Sequence, residues 1–394
     1  MANVAQRAIA AAHAGNQVVL IVSAMAGETN RLLGMASQIS DLPNPRELDV
    51  LAATGEQVSA ALVAMTVQKL GHPAQSLLGS QIRIRTDGAF TKARILEIEG
   101  SKLLDTVRAG KIAVVAGFQG IDAQGDINTL GRGGSDTTAV AIAAAIQADV
   151  CEIYTDVDGV YTTDPNICRK AKKIDRISYE EMLELASLGA KVLQIRSVEL
   201  GMKYGVLIHV RSSFSDRPGT IVSVEEGLEK VIVTGIAYDK SEAKVQLINV
   251  PDKPGIVATV FGMLAAQNVS VDMIIQSPAR ESGTTTDVTF TVPKADLART
   301  KESIEACCRS IGGAAIEYDP DIVKVSIVGL GMRSHAGVAS RMFQLLADEG
   351  INIQAISTSE IKVSCVMASK YTELAVRALH TGFGLDKEPE ETSD

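Results

Sequence analysis

The chain has 394 residues, 46% of them hydrophobic and 22% charged, with a formal net charge of -9 and no basic block. That length exceeds what one hydrophobic core serves, so two or three domains are expected. The acidic balance argues against nucleic acid or an anionic membrane as the main partner, and no apolar run approaches the roughly 20 residues that span a bilayer. A small molecule is the expected ligand.

In chain order, residues 1–15 are alanine-rich with one arginine and no acid, a composition that faintly suggests a transit peptide but reads better as an amphipathic helix ending at Gly15. A buried-type strand follows at 18–24. Ser23 and Thr29 flank the next loop, and local chemistry alone makes them N-caps for a helix through 31–35. The apolar run 112–118 predicts a second strand and 138–146 a helix, with Asn128-Thr129-Leu130-Gly131-Arg132-Gly133-Gly134-Ser135-Asp136-Thr137-Thr138 between them. Ser135 and Asp136 then sit at a helix start, where free N–H groups and the positive dipole end suit a carboxylate or phosphate. The plain alternative is a glycine-rich turn with an ordinary cap. Strands at 151–156 and 206–212 complete an α/β pattern built on a largely parallel sheet. Ser-Asp-Arg-Pro-Gly at 215–219 breaks that pattern, and a second region begins near Val231.

The second region contains a repeat. Residues 244–277 and 324–359 align, with Gly255 on Gly337, Phe261 on Phe343, Leu264 on Leu346 and Asn268 on Gly350. Each copy reads strand, turn, amphipathic helix, strand, and continues into a further strand at 286–292 or 362–367. The repeat serves either dimerisation or ligand binding, and spacing does not separate the two. The tail 386–394 is acidic and expected to be disordered. Cys151, Cys168, Cys307, Cys308 and Cys365 show no metal-type spacing, which fits a reducing cytoplasm. His13, His72, His209, His335 and His380 are scattered, so no metal centre or histidine-based nucleophile is legible.

These residues resemble the aspartate kinases of the amino acid kinase superfamily, which end in tandem ACT domains. The match rests on Ser23-Ala24-Met25, Thr54-Gly55-Glu56, Gly131-Arg132-Gly133-Gly134-Ser135-Asp136, the run from Tyr154-Thr155-Asp156 through Tyr161-Thr162-Thr163-Asp164-Pro165, and Gly189-Ala190-Lys191-Val192-Leu193. The resemblance implies an amino acid kinase fold with a largely parallel sheet over 1–228, then two ferredoxin-like βαββαβ ACT domains at 229–318 and 319–385, with a strand of the first donated to the second. It implies transfer of the γ-phosphoryl group of ATP, with Mg2+, to the side-chain carboxylate of L-aspartate. That carboxyl group ordinarily titrates at about 3.9, so it needs no base to ionise it. What remains is positioning and charge neutralisation.

By the same resemblance Ser23, Thr29, Glu56, Arg132, Ser135 and Asp136 bind the amino acid, and Thr155, Asp156, Tyr161, Asp164 and Lys191 bind the nucleotide. Asp252, Lys253, Pro254, Gly255, Ile256, Val257, Asp272 and Gln276 form one effector site for lysine or threonine, while Asn352, Ile353, Ser357, Thr358 and Ser359 belong to the second copy. A homo-oligomer through the ACT domains is implied. The sequence departs from the family at its start, where the Lys-Phe/Tyr-Gly-Gly-Thr-Ser strand that holds the transferring phosphates has no counterpart. The catalytic residue therefore stays unassigned, and a poor or inactive kinase is expected. The rival expectation is a non-catalytic amino-acid-binding subunit that partners an intact kinase.

Overall fold

The computed structural model describes residues 1–188, 192–224, 233–278, 285–310, 315–332 and 336–387. They fall into two compact bodies. The first comprises Met1–Val160, Lys173–Ser187 and Lys191–Glu226, and the second Tyr161–Lys172, Leu188–Ala190 and Gly227–Asp394.

In the first body the strand Ile112–Ala116 is flanked by Val19–Val22 and Ala74–Leu77, all parallel. Every residue of Ile112–Ala116 is buried, as a central parallel strand requires. The pleat sorts its side chains between two cores. Ile112, Val114 and Ala116 pack with Val63, Val67 and Ala8, whereas Ala113 and Val115 pack with Leu103, Val107 and Ile142. A separate four-stranded sheet joins Cys151–Thr155 to Ile208–Ser212 and Arg176–Ser178 to Thr220–Ser223 in parallel, with an antiparallel ladder in the middle. A third sheet orders Ile95–Ile98, Ile84–Thr86, Gln119–Ile121 and Ile127–Thr129. Parallel pairing is thus spread over several sheets, with Ile84–Thr86 also parallel to Gln119–Ile121 in the third.

The helix Pro45–Lys69 starts with proline at its first turn, where no N–H is missed, and Asn44 caps it by accepting the Arg46 N–H at 2.9 Å. By length and mean hydropathy it is apolar enough to cross a membrane, although Asp49 and Glu56 interrupt its apolar run. Half of its apolar window is buried within the protein.

In the second body two four-stranded antiparallel sheets each carry a core. One orders Ile274–Pro278, Thr285–Pro293, Glu242–Pro251 and Ala315–Asp319, and the other Val233–Asp239, Ile322–Gly329, Lys362–Ala368 and Ala355–Thr358. The strand Val233–Asp239 therefore precedes the first repeat in sequence yet pairs with Ile322–Gly329 of the second. The helices Ile256–Ala266 and Ala336–Asp348 cover the two sheets through Val260 and Leu264, and through Met342 and Leu346. These are the stripes that the repeat's spacing predicts.

Candidate active site

Two of the residues expected at the substrate, Glu56 and Ser135, reach the carboxyl ends of Val19–Val22 and Ile112–Ala116, where ligands of open α/β sheets bind. Just past Ile112–Ala116, a Cβ on Gly117 would meet Ser135 Oγ at 2.9 Å and Ile21 Cγ2 at 3.0 Å. That near-contact brings two strand ends and the first turn of the helix Gly134–Ile146 to one point. From the other side Glu56, buried on Pro45–Lys69, accepts the Ala24 N–H at 3.1 Å through Oε1. A Cβ on Gly55 would stand 2.9 Å from the Ala24 Cβ, so only glycine lets this helix approach so closely.

The glycine-rich loop is held from beneath by two residues that sequence reasoning missed. Asp49, 1% exposed, accepts the N–H groups of Thr129 and Thr91 at 2.8 Å each and the Thr129 hydroxyl at 2.6 Å. Arg196 donates to the carbonyls of Leu130 at 2.5 Å and Ala93 at 2.9 Å. Asp49 and Glu56 lie seven residues apart on one helix face, an acidic pair in an apolar stripe that spacing alone reveals. Gly133 is the actual helix cap, with φ of 70°, and the helix begins at Gly134 rather than Thr138. Neither Ser135 nor Asp136 makes a side-chain cap. Ser23 and Thr29 do not cap their helix either, because Gly27 takes that place in the left-handed region. The two hydroxyls are left for another use, with Ser23 exposed and Thr29 half-buried.

The electrostatics suit a zwitterion. Glu56 Oε2 is buried with no hydrogen-bond partner, and burial pushes its carboxyl above the usual range against the pull of the Ala24 N–H. Burial likewise pushes Asp136 up to about 6. Two carboxylates lacking a cation are costly to hold ionised, and an incoming ammonium removes that cost. Arg132, exposed on the same loop, has no hydrogen bond or ion pair among the described residues. Its planar fork is available to a carboxylate.

The residues expected at the nucleotide are divided. Thr155 ends the strand Cys151–Thr155 and its hydroxyl donates to Asp156 Oδ1 at 3.0 Å, with Asp156 exposed. Tyr161 and Asp164 belong to the second body. Both Asp164 oxygens are engaged there, Oδ1 by the Asn166 N–H at 2.8 Å and Oδ2 by the Tyr238 hydroxyl at 2.9 Å. Lys191 lies outside the described residues.

Of the expected effector residues, the structure brings Asp272 and Ser357 together. They line a cavity of about 310 Å³ with Met273, Ile274, Lys324, Lys362 and Ser364. Asp272 is already paired with the buried Lys324, which also lies 3.3 Å from Glu242. Burial opposes the Asp272 charge, but its bond to Lys324 holds the carboxyl below its usual range. Asp252, Lys253, Pro254 and Gly255 form an exposed loop leading into Ile256–Ala266, and Ile256 and Val257 pack on the first core. Gln276, Asn352 and Thr358 are exposed, Ile353 packs on the second core, and Ser359 caps a turn by accepting the Lys362 N–H at 3.2 Å.

Comparison with known proteins gives a consistent answer. A model of the amino acid kinase family matches residues 1–212, and ACT-domain models match 246–309 and 325–383. The aspartokinase of Pseudomonas aeruginosa is 56% identical over 376 residues, covering 95% of this chain and 91% of that protein. E. coli aspartokinase III superposes in two crystal structures. Its complex with aspartate and ADP has a TM-score of 0.78 at 24% identity, covering 96% of this chain and 95% of that one. Its complex with lysine and aspartate has a TM-score of 0.75 at 25% identity, with 96% of each chain covered.

Proposed function

The chain belongs to the aspartate kinase family, and from that premise we propose that it binds L-aspartate and MgATP in the crevice described above, passing the γ-phosphoryl group to the amino acid's side-chain carboxylate. The observation that carries this reading is the pair of the buried Glu56 and the half-buried Asp136, whose carboxyls burial pushes up, on elements that also carry the exposed Arg132, which is unpaired among the described residues. That set complements an amino acid's ammonium and carboxylate at once. Ser23 and Ser135 supply hydroxyls near those strand ends, and Thr29 supplies one from the first turn of the helix Glu28–Ile39.

The residues after Cys151–Thr155 suit a nucleotide because they leave the carboxyl end of a parallel pair of strands, the usual place for such ligands. Thr155, Asp156 and Tyr161 would hold it. MgATP supplies the transferable group, with the ion neutralising its phosphates. The chain's own contribution is to fix the attacking carboxylate in line and keep it ionised, which needs no general base.

Regulation is part of the same proposal. The Asp272–Ser357 cavity and the 252–257 loop receive an amino-acid effector, lysine or threonine, and the ACT repeats pair the chain with a second copy. The edge strands Ile274–Pro278 and Ala355–Thr358 support that pairing, with Ile274 and Ile356 exposed. The test is ADP release from the purified chain with MgATP and L-aspartate, beside calorimetric titration of L-lysine and L-threonine. Turnover that ignores L-aspartate sinks the catalytic reading, and absent heat with both effectors sinks the regulatory one.

A further inference from the structure

Within the first body, the hairpin of Ile84–Thr86 and Ile95–Ile98 ends in a loop that lies against the glycine-rich loop. Both ends of the hairpin loop are fastened to the strand Ile127–Thr129. The Thr86 hydroxyl donates to Asn128 Oδ1 at 2.7 Å, and the Ala93 N–H donates to the Thr129 carbonyl at 2.9 Å. Asp49 and Arg196 brace the two loops together, since the carboxylate accepts N–H groups from Thr91 and Thr129 and the guanidinium spans the carbonyls of Ala93 and Leu130. The backbones come so close that a Cβ on Gly131 would lie 3.1 Å from the Thr91 carbonyl oxygen and 3.7 Å from the Lys92 Cα.

Thr91 sits in the left-handed region, with φ of 68°. That conformation is costly for a β-branched residue and persists only where the surroundings over-determine it, as they do most often at functional sites. Asp49 supplies the restraint through the Thr91 N–H, and the turn it enforces sets Lys92 beside Gly131, the neighbour of Arg132. Lys92 is exposed, and its ammonium, like the Arg132 guanidinium, has no hydrogen bond or ion pair among the described residues. Asp49 offers neither cation a partner, being 1% exposed and engaged on both oxygens by Thr91 and Thr129. Two like charges on abutting loops repel each other, and a bound anion relieves that repulsion.

L-aspartate carries two carboxylates and one ammonium. Glu56 and Asp136 answer the ammonium and Arg132 one carboxylate, which leaves the other carboxylate without a cation. Resting on that reading of the substrate site, we infer that Lys92 is a further substrate-binding residue, the cation for the second carboxylate of L-aspartate. An ammonium on a flexible stem suits the part, because it meets a carboxylate as a point charge and leaves the oxygens free to turn toward a phosphoryl donor. Lys92 gives up no proton and takes none.

Calorimetric titration of the full chain with L-aspartate, and separately with MgADP, tests this. Lys92→Met is expected to weaken L-aspartate binding roughly tenfold while MgADP affinity stays within about twofold and the urea midpoint does not move. Lys92→Arg keeps the charge and is expected to bind L-aspartate within about threefold of the parent. Lys111→Met removes another exposed lysine, at the amino end of Ile112–Ala116, and should leave L-aspartate affinity within about twofold. A loss there equal to that of Lys92→Met would report only the overall field of the chain and overturns the inference. So does an equal loss in Lys92→Arg, or unchanged L-aspartate affinity in Lys92→Met. If Lys92→Met unfolds at lower urea than the parent, Lys92→Gln decides, with the same loss supporting the contact and no loss overturning it. A parent chain that gives no L-aspartate heat removes the substrate reading as well. A parent that binds L-aspartate no better than Lys92→Met removes this inference only.

Discussion

The loops that lead into Gly134–Ile146 and Ile256–Ala266 share a local design and differ in everything beneath it. Both helices are capped by a left-handed glycine with no side-chain cap, Gly133 with φ of 70° and Gly255 with φ of 94°. A Cβ on Gly133 would lie 1.8 Å from Gln194 Cγ, whereas a Cβ on Gly255 would meet nothing within 4 Å. The first loop rests on the buried Asp49 and on Arg196, and the second is exposed. A glycine at a helix start thus signals only a backbone turn. Whether the turn is a fixed site or an open one depends on distant residues that brace it.

Substitutions can break that contrast, and the largest effect is expected at Gly133. Gly133→Ala combines the left-handed penalty with a clash and should abolish calorimetric binding of L-aspartate; retained binding would show that the loop yields. Arg132→Ala should lower L-aspartate affinity by about a hundredfold, the worth of a paired charge-assisted contact, read in the same titration. Asp49→Asn leaves an N–H or hydroxyl without its charged acceptor and should cost about 2 kcal/mol in urea unfolding, with glycine-loop proteolysis rising in parallel.

Acidification probes the carboxyls directly. The folded Asp136 keeps its proton up to about 6, above the ordinary 3.8, so on its own it stabilises the empty chain progressively as pH falls from 6 toward 4 and contributes nothing to stability above that window. An ammonium ligand prefers the ionised form, so L-aspartate affinity should fall roughly tenfold between pH 7 and pH 5. A flat profile would remove Asp136 from the ligand's surroundings. Gly255→Ala marks the small end, with a cost of about 1 to 2 kcal/mol in unfolding and no change in L-aspartate titration.

Much of this is readable in the residues, for identifiable reasons. A continuous apolar run announces Ile112–Ala116, and the aligned Phe261 and Phe343 announce the paired repeats. Motif order assigns Glu56, Ser135 and Asp136 to one family site, and the structure puts Ser135 beside Ile21 and Glu56 on the Ala24 N–H. Hidden are the partners that only folding brings together. Asp49 meets Thr129 across 80 positions, Lys324 meets Asp272 across 52, and His380 meets Thr162 across 218. No periodicity records such pairs. Helix starts also mislead, because Ser135, Asp136 and Thr29 look like caps where glycine performs the turn.

The crossed strand has a consequence for synthesis. As the polypeptide leaves the ribosome, Val233–Asp239 emerges well before Ile322–Gly329, the edge on which it finally lies, and the entire first repeat must be made in between. Its newborn ladder groups wait unpaired through that interval, so the second sheet closes last and only from both sides of the first. Severing the chain between Asp319 and Ile322 would leave the first sheet whole and the second without Val233–Asp239, so the second repeat cannot be cut away with its sheet complete.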